Sequence, residues 1–499
     1  VWFVPDVPPA PDDAAALRAA NARLREVVEA KDTEIGVLRA QAETHQAQLE
    51  QLRAEIAELR ARLGQNPRNS SKPPSSEGLG KPAPKSLRGK SGRRPGRPKG
   101  QPGSTLQMSD RPDDVVRHEP GCCAGCGQGL SAAPQTRVER RQVTDLPERI
   151  RVRVTEHQIV SRRCGCGTVT AGEAPAGVKA PVQYGPRLAG VAVYLWHGQF
   201  LSRDRACETI AELFGVTISQ GALAGMVTRV AARLGGTLEA IRQALVTSPV
   251  AHFDETGFRV AGRLAWVHSA STGKFALVTV HPKRGRQAMD AAGVLPGFEG
   301  VAVHDCWAPY DTYDQAGHAL CNAHALRELQ AVIDAAARAR DGAWCWAEQA
   351  AAALRDMKHL AEGSLAIDGT LGRVDQEKLT GTRSRYHSAA LIGRQQTAAR
   401  AGPLMVKHNN LARRLLDREG DYLRFTTDPH VAFDNNAAER EIRVSKLRIK
   451  VSGCMRSMTG AEQFCAIRSY LSTAAKHGIG KLDAITRAAA GNPWMPETP

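Results

Sequence analysis

Long apolar runs are missing from this 499-residue chain. The longest, Leu188 to Trp196, is broken by His197 and falls far short of the roughly 20 residues that a membrane-spanning helix needs. No helical membrane protein is expected. The N-terminus, VWFVPDVPPAPDD, lacks both a basic leading region and a long apolar segment, so no secretory signal is visible. Its first residue, Val1, leaves the native start open. Acid is scarce as well. The chain carries 51 Asp and Glu against 67 Lys and Arg, and the resulting charge of +16 favours a polyanionic partner, nucleic acid before membrane. Eleven cysteines are an odd number for a long chain without a visible leader. They argue for metal or core roles in a reducing compartment rather than for disulfides.

What is present falls into segments. Residues 1–13 read as a tail, and 14–64 as a run of heptads. With Leu17, Leu24, Lys31, Leu38, His45, Leu52 and Leu59 at d, position a holds Asn21, Val28, Ile35, Ala42, Leu49, Ile56 and Leu63. That pattern predicts a left-handed coiled coil, with a parallel homodimer favoured and Asn21 available to fix register. Residues 65–108 are a Pro/Gly/Ser-rich basic linker that cannot bury enough apolar surface to fold alone. Within it, RRPGRPKG resembles a minor-groove arm and offers Arg93, Arg94, Arg97 and Lys99 to DNA, though a plain electrostatic tether to phosphates is the commoner explanation.

Residues 109–176 carry two cysteine knuckles, Cys123 with Cys126 and Cys164 with Cys166, joined by a strand-like span over 136–160. Four such thiolates can hold one zinc ion, so a zinc ribbon is expected, with Cys122 and His118 as substitutes; small buried cysteines in glycine turns are the alternative. Residues 177–246 read as helical. A turn at 215–216 followed by Ser219 as N-cap gives helix-turn-helix spacing, which many non-binding helix pairs share.

Strand-like runs follow at 249–254, 264–270 and 275–281, then a helical piece at 285–293 and a fourth apolar run ending on Asp305. Asp254 ends the first run. Two aspartates at the ends of neighbouring strands are a half-built divalent-metal site for phosphoryl transfer, and Mg²⁺ (or Mn²⁺) prefers such hard oxygen ligands. A third carboxylate is available from VAFDNNAAEREIRVSKLRIKV, residues 431–451, a helix with Asp434 as N-cap. Glu439 and Glu441 lie two residues apart and face different ways, so only one can complete the set. The cations that follow, Arg440, Arg443, Lys446, Arg448 and Lys450, are expected along a DNA backbone. Trp307 and Tyr310 beside Asp305 suit either base stacking or core packing, and His252 and His304 are further acid–base candidates.

At these residues the chain resembles the DDE transposases of the insertion sequence 66 group. LGQNPRNSSKPPSSEG, RRPGRPKGQPG, the cysteine ribbon, YGPRLAGVAVYL, DETGFRV, CNAHALREL and DNNAAEREIR occur in that family's order across nearly the whole chain. HDCWAP departs from the family's Gly-Tyr-rich surroundings of the second aspartate. The resemblance implies a multidomain α/β protein with an RNase H-like catalytic core at 247–470, holding a helical insertion at about 325–425, and a C-terminal tail at 471–499. It implies the catalytic set Asp254, Asp305 and Glu439, the Glu of the AER triplet. It also implies a supporting C-x-x-H pair, Cys321 and His324. The implied activity is Mg²⁺-dependent cleavage and strand transfer on terminal inverted repeats and target double-stranded DNA. A bacterial, cytoplasmic, nucleoid-associated setting and small accessory proteins go with it. A catalytically inactive DNA-binding relative and a structure-selective RNase H-like nuclease are the rival readings.

Overall fold

The computed structural model describes residues 13–65, 69, 107–147, 150, 152–339, 344–363, 376–398 and 402–497. Arg93, Arg94, Arg97 and Lys99, with nearly all of the basic linker, lie outside the described residues. Good helix formers (Ala, Leu, Glu, Arg, Gln) dominate the heptad segment, and it forms one continuous helix, α1 (Asp13–Leu63). At 1.5 Å per residue it is about 75 Å long. Its apolar stripe, including Leu17, Leu24, Val28, Ile35, Leu38 and Leu52, is exposed along its length.

The cysteine region holds only a short antiparallel hairpin, β1 (Ser161–Arg163) with β2 (Val169–Ala171). The strand expected over 136–160 is absent among the described residues. Its charged residues leave no apolar face to bury, and Val138, Val143, Val152 and Val154 are all exposed.

Four helices follow: α2 (Pro186–Val193), which runs into a π-helical turn, α3 (Arg203–Phe214), α4 (Gln220–Arg233) and α5 (Gly235–Val246). Ser202 and Ser219 cap α3 and α4 by accepting from the N–H of Arg205 and Ala222, and Gly215, at φ 66°, ends α3. The strands β3 (Val250–Val260), β4 (Arg263–Ser271), β5 (Ala276–His281), β6 (Val301–His304) and β7 (Gly317–Leu320) form a mixed sheet in the order β5-β4-β3-β6-β7. The pairs β3–β4 and β4–β5 are antiparallel, and β3–β6 and β6–β7 are parallel. Helix α6 (Arg286–Ala292) and a 3-10 turn (Ala308–Thr312) flank β6.

Asp254 does not end its strand. β3 runs six residues further because a two-residue turn, Ala261 and Gly262, closes the β3–β4 hairpin. Both residues have positive φ, 49° and 77°, the twist-matched geometry for so short a loop.

After β7 come α7 (Asn322–Ala339), α8 (Trp346–Gly363), α9 (Gln376–Ala398), α10 (Pro403–Asp417) and the short α11 (Glu419–Leu423). Their shared core reaches onto Val303, Ala319 and Leu320 of the sheet. Helices α12 (Asn436–Ser452) and α13 (Met458–Lys476) then cover the sheet face that carries Phe258, Val260 and Val267. Helices α5 and α6 and the 3-10 turn cover the opposite face, around Ala251, Phe253 and Tyr310.

The edge strand β5 is closed by side chains of α13. The N–H of Val278 donates to Ser469 Oγ at 2.7 Å, and that of Ala276 donates to Thr473 Oγ1 at 3.1 Å. Four helical residues advance about 6 Å, close to the advance of two strand residues, so the two hydroxyls match the edge.

The expected C-terminal tail is folded. Leu471 and Ala474 of α13 are buried, and α14 (Lys481–Ala490) buries Ala484, Ile485 and Ala488 in one core with α2, α3 and α4. The spacing of those three residues is helical, and the amphipathic face has a partner only because α2 lies far upstream in the chain.

Glycine marks one close helix contact in the insertion. A Cβ on Gly393 of α9 would lie 2.5 Å from the buried indole of Trp346, whereas one on Gly381 of the same helix would meet nothing within 4 Å. Gly393→Ala is expected to destabilise the insertion by about 1–3 kcal/mol through overpacking. Gly381→Ala should stabilise it by roughly 0.5–1 kcal/mol through helix propensity. Urea unfolding of the two variants beside wild type checks the opposite signs.

Candidate active site

The β3–β6 ladder pairs Val250 with Val301, Ala251 with Ala302 and His252 with Val303. Two steps further, Asp254 comes level with Asp305, the residue directly after β6. Parallel strands thus set the two aspartates side by side although they are far apart in sequence. On β4, Ser269 stands opposite Asp254, and cross-strand partners share a face. Ser269 Oγ lies 3.3 Å from the Asp254 carbonyl and 3.4 Å from the carbonyl of Ala438 in α12. That contact holds the first turn of α12, and with it Glu439, over Asp254.

Asn435 anchors the helix start. Its Nδ2 donates to the Phe253 carbonyl at 2.6 Å, its Oδ1 meets His252 Nδ1 at 3.0 Å, and its backbone N–H donates to Cys321 Sγ at 3.2 Å. Asn435 therefore occupies the N-cap position, which corrects the expectation for Asp434, and its side chain makes no cap bond. The side chain is taken up by β3, so Asp434 Oδ1 accepts from the N–H of Asn436 at 3.0 Å instead.

Cys321 is buried, and burial pushes its thiol up to about 12, so it is a neutral acceptor under the helix start. His324, one turn along, is lowered by burial and by Arg327, against the pull of Asp305 and Glu439.

The electrostatics are dominated by carboxylates. Asp254 is raised well above its ordinary 3.8, first by burial and then by Glu255, Asp305 and Glu439. Among the described residues neither Asp254 nor Asp305 is within 4.0 Å of a cationic side-chain nitrogen. Their donors are the backbone N–H groups of Glu255, at 2.9 Å, and Trp307, at 3.0 Å. Glu439 meets Arg443 at 2.9 Å and Arg327 at 3.8 Å. Half-buried Lys446 is lowered by burial while Asp254 and Glu439 pull it the other way. A surplus of negative charge with uncommitted oxygens suits a divalent cation.

Glu441 faces α13 instead. It is buried on the far side of α12, where Ser472 Oγ donates to it at 2.6 Å and Lys476 Nζ lies at 3.2 Å. Arg448 is also buried, with Nη1 donating to the Gly453 carbonyl at 3.1 Å, which corrects its place among the surface cations. Glu441, Ser445, Arg448 and Ser452 recur at helical spacing on the side away from Glu439. Arg440, Arg443 and Lys450 are exposed.

Glu255 is a site residue that the sequence does not reveal. It neighbours Asp254 and so points through the opposite sheet face, where Tyr310 OH donates to it at 2.6 Å and Arg284 at 2.7 Å. Burial first, then Asp305, raises it. The guanidinium of Arg284 sits 3.8 Å from the ring of Trp307 and 4.8 Å from that of Trp266. Trp307 thus covers an arginine, and Tyr310 is a core donor. DETGF followed by a distant Arg gives no sequence signal of this pairing, because partners on different elements have no fixed spacing.

The cysteines form two separate pairs. Hydrogen bonding to Cys126 and Gly125 lowers Cys123, and Thr168, then Cys164, lowers Cys166 to about 7. Among the described residues, no group containing Cys123, Cys126, Cys164 and Cys166 brings its sulfurs within 4.8 Å of one another. The four sulfurs of the expected zinc centre are thus not gathered at one point among the described residues. The one set among the described residues that does meet that distance is His304, Asp311 and His318.

Between 3.8 and the raised native value, folded Asp254 keeps a proton that the unfolded chain has released. Stability contributed at this site therefore falls as pH rises through that window. Asp254→Asn in chelator is expected to be more stable than wild type above about pH 4, with the gap widening as pH rises. Urea unfolding across a pH series measures it, and parallel curves for the two proteins would refute the raised carboxyl.

A model of the transposase IS66 family matches residues 181–463, from just before α2 into α13. A family of unknown function matches residues 6–107. No curated protein matches the chain. The first match covers more than half of the chain and contains the whole sheet, the helical insertion and α12. The chain belongs to the IS66 family of transposases.

Proposed function

We propose that the protein cleaves and joins DNA strands at the ends of a mobile element, with Asp254, Asp305 and Glu439 as ligands for Mg²⁺ or Mn²⁺. The observation that carries this reading is the placement of three carboxylates, from β3, the end of β6 and the start of α12, on one sheet face, where Asp305 and Glu439 both raise Asp254. Their oxygens do not all lie within 4.8 Å of one another, so a bound ion would draw them together. Strand order β5-β4-β3-β6-β7, three antiparallel strands followed by two parallel ones, supports an RNase H-like core interrupted by α7–α11. The divalent ions supply Lewis-acid stabilisation of the attacking and leaving oxygens. Asp254 and Asp305 hold them from the sheet, and Glu439 closes the set from the helix. Ser269 and Asn435 fix the distance between the two elements. Arg440, Arg443 and Lys450 lie on the exposed side of α12, where DNA phosphates can reach them.

The remaining modules follow from their local structure. The α3–α4 pair, with its glycine turn and Ser219 cap, supports a helix-turn-helix contact to the terminal repeats. The uncovered stripe of α1 supports pairing of two copies as a coiled coil. Zinc binding by the cysteine knuckles requires the two loops to close on each other.

On end DNA with Mg²⁺, Asp254→Asn, Asp305→Asn and Glu439→Gln are each expected to lower cleavage and joining by at least on the order of 10²–10³-fold, with DNA binding retained. Glu441→Gln should lower thermal stability and leave turnover of the folded protein in place. Cleavage without joining would indicate a nuclease, and binding without cleavage by wild type an inactive relative. Either result overturns the proposal.

Salt dependence separates the cations of α12. Removing Arg440 or Lys450 should flatten the slope of log K against log salt by roughly 0.7–0.9 for each phosphate no longer neutralised. Arg448→Ala should leave the slope unchanged and cost stability instead.

A further inference from the structure

His304 ends β6 and His318 lies on β7, with Ala302 and His318 as direct partners. His304 is therefore the diagonal neighbour of His318 on the same face. Ala302 also pairs with Ala251, which puts both histidines on the Ala251 and Phe253 face, opposite Asp254 and Glu439. The 3-10 turn between the two strands brings Asp311 to the same place. Donor atoms of all three residues lie within 4.8 Å of one another.

We infer that His304, Asp311 and His318 bind a divalent transition-metal ion of the zinc class, at a site separate from the three carboxylates. His304 Nδ1 faces the carbonyl of Asp305, so its N–H is committed there and the lone pair of Nε2 points into the cluster. A ring nitrogen bonded to a backbone carbonyl behind the ligating one is the usual support for a metal-bound imidazole. His318 Nδ1 stands 2.9 Å from that Nε2. One shared proton satisfies both nitrogens, and an ion displaces it.

The histidines are held in place by their surroundings. His304 is fully buried and stacks on Tyr310 at 4.5 Å, and Arg424 Nε donates to the His318 carbonyl at 2.8 Å. Asp311 is exposed, which gives an ion a path from solvent. Its Oδ1 meets Arg418 at 2.9 Å, leaving the second oxygen for the ion. Two imidazoles and one carboxylate favour zinc-class ions over Mg²⁺ and leave a fourth position open for water. Bound metal would tie β6, β7 and their connection together. Through His304 it would also fix the backbone of Asp305, a positioning role that does not depend on Asp305 being a ligand itself.

The test is a Co²⁺ titration of chelator-stripped full-length protein in excess Mg²⁺, with Cys123, Cys126, Cys164 and Cys166 all changed to Ser to silence the knuckles. One equivalent should bind with visible d–d bands and no sulfur-to-metal charge transfer. His318→Gln should abolish it, and Asp311→Asn should weaken it by about tenfold or more. Asp311 is exposed, so its variant keeps the fold, which circular dichroism verifies. Asp254→Asn and Glu439→Gln should leave the titration unchanged. No binding, displacement by Mg²⁺, indifference to His318→Gln and Asp311→Asn, or loss on Asp254→Asn overturns the inference. A failure of strand transfer with this titration intact would count against the transposase proposal alone.

Discussion

The candidate site depends on how one buried asparagine is satisfied. Asn435 has no route to water and spends both ends of its amide on β3, through His252 and Phe253, while its backbone N–H goes to Cys321. A buried polar group left unpaired costs far more than a paired one contributes, so this register of α12 against the sheet is strongly preferred over its neighbours. The start of α7 is tied into the same knot, with Asn322 donating its N–H to Phe433 and its side-chain amide to Tyr422. The helical insertion thus leaves the sheet and returns to it at one place. Long as it is, it does not displace the helix that carries Glu439.

The two sides of α12 follow from that docking. Its inner face is polar for a helix against a core, with Glu441, Ser445 and Arg448 buried; α13 answers Glu441 and the loop at Gly453 answers Arg448. Its leading edge places Glu439 near Asp254, and burial together with the charges of Glu255, Asp305 and Glu439 makes Asp254 harder to ionise. Such an arrangement is unfavourable on its own and would be relieved by a bound cation. The same sheet carries a second polar layer on its other face, where Glu255, Tyr310 and Arg284 satisfy one another and His304 reaches His318. Adjacent residues of one strand, Asp254 and Glu255, therefore have separate surroundings.

Much of the organisation was legible from local pattern. Heptads gave α1, Ser219 gave the start of α4, and runs of β-branched and small apolar residues gave the strands, because periodicity and capping are properties of a few neighbouring residues. The family resemblance pointed to Asp254, Asp305 and Glu439, and the family match to residues 181–463 stands independently of the site geometry. Local pattern failed where a partner was distant. The final residues looked like a tail because the surface that buries Ile485 belongs to α2 and α4. Arg448 looked like a DNA contact because composition does not say which side of a helix meets α13. The span at 136–160 reads as strand-like, but its valines find no face to bury against and stay exposed.

The sequence by itself determined the basic charge, the helix and strand periods and the residue types able to bind metal or phosphate. Tertiary structure decided which of them meet. Parallel pairing of β3 with β6 levels Asp254 with Asp305, docking of α12 chooses Glu439 over Glu441, and the face of β6 and β7 gathers His304, Asp311 and His318. Each of these is a contact between elements far apart in the chain. Its geometry is set by strand register and by the cost of burying unpaired polar groups, and neither can be read from a run of adjacent residues.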